Sequence, residues 1–133
     1  MLAWFYAKMR DRIDYVILYV SDVDAAAAFY RDVIGLPFKF SDQGYAEFAT
    51  NNLKFALFEK SRARALIGRE PGGDSASEIL VLVDDVDAEA ARLRTAGAEI
   101  LSGPEDRPWG HRTLHVAGPD GHVVEFAQEI HRS

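Results

Sequence analysis

The chain has 133 residues, 15 lysines and arginines against 21 aspartates and glutamates, a net charge of −6 and no cysteine. That length suits one compact domain burying roughly two thirds of its unfolded surface. The lack of cysteine excludes disulfides, thiolate metal sites and a cysteine nucleophile and fits a reducing, cytoplasmic setting, while the acidic balance repels phosphate backbones, so no nucleic-acid partner is expected.

Residues 1–12 read as an N-terminal extension. Its apolar opening, 1–9, is far too short to cross a bilayer, and Lys8 follows the apolar run, so neither signal peptide nor membrane anchor is expected. Segment 15–20 is β-branched and aromatic, and Ser21-Asp22 behind it signals a helix N-cap. A strand and then a helix over 24–33 are predicted, with Ala25, Ala28, Phe29 and Val33 along one face and Gly35-Leu36-Pro37 as the stop. Strands follow at 38–40, 45–49 and 53–58, the last two folded about Thr50-Asn51-Asn52. Residues 61–77, Arg-rich and then Pro71-Gly72-Gly73, read as a linker. The second half repeats the order: strand 78–83, helix 86–96 ended by Gly97, strand 99–101, and a hairpin over 111–127 turning at Gly118-Pro119-Asp120-Gly121.

The two halves are also alike residue by residue. An offset of 63 positions pairs 15–31 with 78–94, and eight of those 17 pairs are identical: Val20/Val83, Asp22/Asp85, Val23/Val86, Asp24/Asp87, Ala25/Ala88, Ala27/Ala90, Ala28/Ala91 and Arg31/Arg94. The chain is therefore an α+β protein of two tandem βαβββ modules, 13–60 and 78–130, joined by the linker within one structural domain. A unit too small to bury its own apolar face packs against its copy, and the seam between copies is where a ligand cleft is expected.

The pieces Val20-Ser21-Asp22-Val23 with Phe29-Tyr30-Arg31-Asp32-Val33-Ile34-Gly35-Leu36, and Pro108-Trp109-Gly110 with Gly118-Pro119-Asp120-Gly121-His122-Val123-Val124-Glu125, resemble the vicinal oxygen chelate superfamily. This is the glyoxalase, bleomycin-resistance and extradiol-dioxygenase group, and the match covers 13–130. The resemblance implies paired βαβββ modules forming a curved mixed sheet around a cleft, with helices on the outer face. It also implies a small-molecule ligand and a homodimer. Metal-binding members place one ligand near the start of each module's first strand and one on each last strand; those positions here are Tyr15, Ala56, Glu78 and Glu125. Alanine has no lone pair to give, and a neutral tyrosine, with pKa about 10, is a poor ligand. No metal and no other cofactor is therefore expected. His111 and His115, four apart on one strand and so on one face, are the residues that could complete a divalent site with Glu125. His122 falls on the side of Val124, opposite Glu125.

If Glu78 and Glu125 face the seam, alternation lines it with Leu80, Leu82, Val123 and Ala127, and in the first module with Tyr15, Ile17, Tyr19, Ala56 and Phe58. That lining is apolar and aromatic with a few acids, and Trp109 is either a stacking surface or a packing anchor for its loop. The leading expectation is metal-free binding of an aromatic or cationic small molecule, without chemistry. The alternatives are a metal-dependent lyase, isomerase or dioxygenase of the glyoxalase type, and a metal-free isomerase using Glu78 and Glu125 as acid and base.

Overall fold

A computed structural model describes residues 15–67, 71 and 77–131; the N-terminal extension, residues 13–14 and most of the tract 68–76 lie outside the described residues. Strand β1 (Tyr15–Val20) leads into helix α1 (Val23–Ala28), which continues as a π-helical turn (Phe29–Ile34) and stops at Gly35, where φ is 91°. Strands β2 (Phe38–Asp42), β3 (Tyr45–Phe48) and β4 (Lys54–Glu59) complete the first module. After helix α2 (Lys60–Ile67) the second module has β5 (Glu78–Leu82), helix α3 (Val86–Thr95), β6 (Ile100–Asp106), β7 (His111–Ala117) and β8 (Val123–Glu129).

The identical residues of the repeat do the same work twice. Asp22 accepts a hydrogen bond from the Ala25 amide at 3.0 Å, and Asp85 accepts one from Ala88 at 3.1 Å, so each aspartate satisfies an amide that the first turn leaves open. Val23 and Val86, and Ala27 and Ala90, are buried against the sheets.

Each module is a four-stranded mixed sheet, ordered β1-β4-β3-β2 and β5-β8-β7-β6, with β1 parallel to β4, β5 parallel to β8 and the remaining pairs antiparallel. Helices cover one face of each sheet. Leu18, Val20, Phe48, Phe55 and Leu57 meet Tyr30 there in the first module, and Leu93 meets Leu114, Val116, Val124 and Phe126 in the second, all within one continuous core. Alternation leaves Tyr15, Ile17 and Tyr19, and Glu78, Leu80 and Leu82, on the opposite faces.

Polar joints lock the modules together. In the turn between β7 and β8, Asp120 adopts φ 58° and its carboxylate accepts from the Ser21 amide at 3.0 Å, from the Ser21 hydroxyl and from Lys60 Nζ at 3.5 Å. Arg92 donates to the Val33 carbonyl at 2.6 Å. Buried His122 donates from Nε2 to the Tyr19 carbonyl at 3.3 Å, while Nδ1 accepts from Ser77.

Three sequence expectations are corrected. Residues 60–67 are helical, so the tract read as a linker opens with an element. Its Lys-Ser-Arg-Ala-Arg-Ala core holds good helix formers, but among the residues whose side chains are described only Ala63 is buried, and one buried position gives no visible periodicity. Strand 99–101 extends to Asp106, through Pro104, because β6 is the outer strand of its sheet and an outer strand tolerates a residue without an amide hydrogen. The helix expected over 24–33 starts one residue earlier and widens into the π turn. No helix among the described residues is long and apolar enough to cross a membrane.

Burial alone would raise the Asp120 carboxyl, but the Ser21 hydroxyl and amide and the Lys60 ammonium hold it below the usual carboxylate range. A lowered folded value adds stability above the unfolded value, near 3.9, that disappears as pH falls through the folded value. Asp120→Asn is therefore expected to cost about 1–2 kcal/mol in urea unfolding at pH 7 and to flatten the acid side of the stability profile. An unchanged profile would show that the joint carries no stability.

Candidate functional site

Three adjacent strands of the second module converge on one spot. Register pairs Leu80 of β5 with Glu125 of β8, and Glu125 with His115 of β7, so these side chains form a row on the face away from the helices. Glu78, two residues before Leu80, lies on the same face. His115 Nε2 is 3.2 Å from Glu125 Oε1 and 4.0 Å from Glu78 Oε2, and one donor atom from each of the three residues lies within 4.8 Å of the others. Glu125 is buried, 8% exposed, while the Glu78 side chain is 47% exposed, so the cluster has a closed back and an open front.

The other side of the imidazole is held too. Ser102 Oγ lies 3.2 Å from His115 Nδ1, which fixes the ring's orientation. β6 is irregular on both sides of Ser102, and Gly103 follows with φ 88°. A Cβ at Gly103 would sit 2.2 Å from the Thr113 carbonyl oxygen, so this close approach of β6 to β7 requires glycine. Burial pushes the Glu78 carboxyl above the usual range, and the hydrogen bond and the charge from Glu125 push it the same way, against the pull of His115.

The first module carries the same row with different chemistry: Ile17, Ala56 and Glu47 stand where Leu80, Glu125 and His115 stand in the second. Buried Glu47 accepts from the Tyr45 hydroxyl at 2.7 Å and from Lys39 at 3.2 Å. The Tyr45 hydrogen bond, with Lys39, holds the Glu47 carboxyl below its ordinary range against the effect of burial, and Tyr45 itself is pushed up. Ala56 is fully buried and offers no donor.

Glu78, His115 and Glu125 are thus brought together, whereas His111 lies opposite Glu129, outside the cluster. Tyr15, Ile17, Leu80 and Leu82 are 45–59% exposed, Tyr19 and Phe58 partly so. Trp109 is 65% exposed, which excludes a role as a packing anchor. Val16, Leu36, Leu53, Phe55, Ile79 and Val81 help line an apolar cavity of about 440 Å³ where β5 meets the first module. Sequence reasoning missed Ser102 and Glu47. Only Glu47 left a signal, a lone acid in an apolar strand.

Two tandem βαβββ modules, one carrying an acidic and imidazole cluster, define the fold class, and the comparisons give the family. Residues 12–126 match the model of the Glyoxalase/Bleomycin resistance protein/Dioxygenase superfamily, and the chain belongs to that superfamily. It is 30% identical over 134 residues to an ethylmalonyl-CoA/methylmalonyl-CoA epimerase of Cereibacter sphaeroides, covering 90% of this chain and 99% of that protein. The crystal structure of a glyoxalase/bleomycin resistance protein/dioxygenase from Nocardioides aligns with a TM-score of 0.81 at 25% identity, covering 99% of this chain and 93% of the other. A lactoylglutathione lyase from Agrobacterium tumefaciens aligns with a TM-score of 0.72 at 28% identity, covering 90% and 95%.

The donor set fits a divalent metal ion. Two carboxylates and one imidazole suit zinc, iron, nickel or manganese, and donors each about 2.1 Å from one ion stand roughly 3–4 Å apart, close to the spacing here.

Because the Glu78 and Glu125 carboxylates oppose each other, Glu78→Gln is expected to raise the melting temperature of metal-free protein. The gain is below about 1 kcal/mol, since Glu78 is half solvated. A calorimetric scan showing a lower or unchanged melting temperature would place the carboxylates too far apart to interact.

Proposed function

We propose that Glu78, His115 and Glu125 hold a divalent metal ion, and that the chain is a lyase or isomerase of the glyoxalase type acting on a small oxygenated substrate at this face. The observation that carries the reading is the convergence of one donor atom from each of three neighbouring strands within 4.8 Å. The bound ion would act as a Lewis acid on the substrate's oxygens. The chain's residues would divide the remaining work. Buried Glu125 and Ser102-anchored His115 form the fixed part of the ligand set. Glu78, more exposed and 4.0 Å from His115, would be the loosely held ligand, with a carboxylate oxygen left to take a proton from the substrate and return it. The names of an epimerase and a lyase among the relatives agree with this reading.

The expected result of equilibration with iron, nickel, zinc or manganese, followed by desalting and elemental analysis, is near-stoichiometric retention. Glu125→Ala and His115→Ala should each weaken retention by more than the roughly 10–100-fold typical of losing an outer-shell partner, and Ser102→Ala should fall within that range. Wild-type protein that retains no metal overturns the reading.

A second reading has its own support. Tyr15, Ile17, Leu80 and Leu82 leave an apolar, partly aromatic surface around two acids, which suits metal-free capture of an aromatic or cationic small molecule. The same exposed side chains suit burial in a homodimer. Binding of a quaternary aromatic ammonium to chelator-treated protein, together with failure to retain metal, would favour this reading over the first.

A further inference from the structure

Strand β5 ends the sheet order β5-β8-β7-β6, so among the described residues one of its edges has no neighbouring strand. The apolar cavity of about 440 Å³ lies along β5, and four consecutive residues, Ile79, Leu80, Val81 and Leu82, all line it. Ile79 and Val81 pack against the core on the helix side, whereas Leu80 and Leu82 belong to the opposite, exposed face. A cavity that touches both sets wraps the free edge of the strand and reaches the face that carries the cluster. There Leu80 is the register partner of Glu125, on a strand about 5 Å away, so a wall residue of the cavity adjoins a carboxylate of the cluster. The first module supplies Val16, Leu53 and Phe55 to the lining, which holds no charged side chain among the described residues. Thr50, a polar neighbour, has its hydroxyl occupied within its own turn, donating to the Leu53 carbonyl and accepting from the Phe55 amide at 3.3 Å. An apolar lining of this kind suits part of a small molecule, and a charged group entering it would lose its water without gaining a partner.

We propose that this cavity is a subsite for an uncharged aliphatic tail, and that the molecule taken by the cluster is amphipathic. Its oxygenated head meets Glu78, His115 and Glu125, and its hydrocarbon tail passes Leu80 and follows the edge of β5 into the cavity. The inference rests on the metal reading for the head only. The tail needs nothing but apolar walls, and its affinity comes from methylene groups removed from water.

Two probe series are titrated calorimetrically into the full chain: straight-chain 2-hydroxy acids, from 2-hydroxybutyrate to 2-hydroxyoctanoate, into manganese-loaded protein, and straight-chain alcohols, from butanol to octanol, into metal-free protein. In both series each added methylene should tighten binding about fourfold, on the order of a hundredfold across four, until the cavity is full. Val16→Phe and Leu53→Phe, which narrow the cavity away from the cluster, should each remove that gain while leaving manganese and 2-hydroxybutyrate affinities unchanged. Affinity independent of chain length in both series overturns the tail subsite and leaves the metal reading intact. A gain in the alcohol series from a protein that binds no manganese overturns the metal reading and supports the subsite. A gain that survives both substitutions belongs to the outer surface and counts against the cavity. If one variant fails to fold, the other decides. Wild type that shows no gain but sediments as a dimer, and that Val16→Phe turns into a monomer, would mean that a second copy fills the cavity, which also overturns the proposal.

Discussion

Strand β8 lies between two ladders, parallel to β5 through Glu78↔Val123 to Leu82↔Ala127 and antiparallel to β7 through His111↔Glu129 to Ala117↔Val123. A slip of one residue in either ladder would turn a whole set of side chains to the other face. Glu125 would then take the place of Val124 and Phe126 in the apolar layer, and His115 that of Leu114 and Val116. The burial of those four apolar residues against α3 is what forbids the slip, so the same packing that stabilises the second module places its two acids and its imidazole on one open face.

The duplicated halves share this architecture but treat their buried carboxylate differently. In the first module Glu47 is satisfied from within by the Tyr45 hydroxyl and the Lys39 ammonium, and Ala56 removes the acid that would stand beside it. In the second module Glu125 and Glu78 stand side by side, both within 4.0 Å of His115. One half pairs its buried carboxylate with a lysine, whereas the other sets two carboxylates beside one imidazole. Duplication has thus kept the caps and helix contacts, such as Asp22 and Asp85, and let the exposed rows diverge.

Much of this was legible in the sequence because it depends on local rules. The two aspartate caps, the glycine after the first helix and the turn at Gly118–Gly121 set the βαβββ order, and alternation put Glu78 and Glu125 on one face. The hairpin pivot even selects His115 over His111: each step back from Ala117 matches a step on from Val123, which brings His115, not His111, opposite Glu125. Ser102 could not be reached by such counting, because β6 shifts register on both sides of it. Helix α2 escaped because Ala63 is the one position among its described side chains whose burial would have marked a face.

The most direct measurement is anomalous diffraction from crystals grown with manganese. The account expects a single peak bound by Glu78, His115 and Glu125 on the face of the second module. A peak elsewhere, or no peak at these three residues when the ion is in excess, would contradict the claim that this cluster is a metal site.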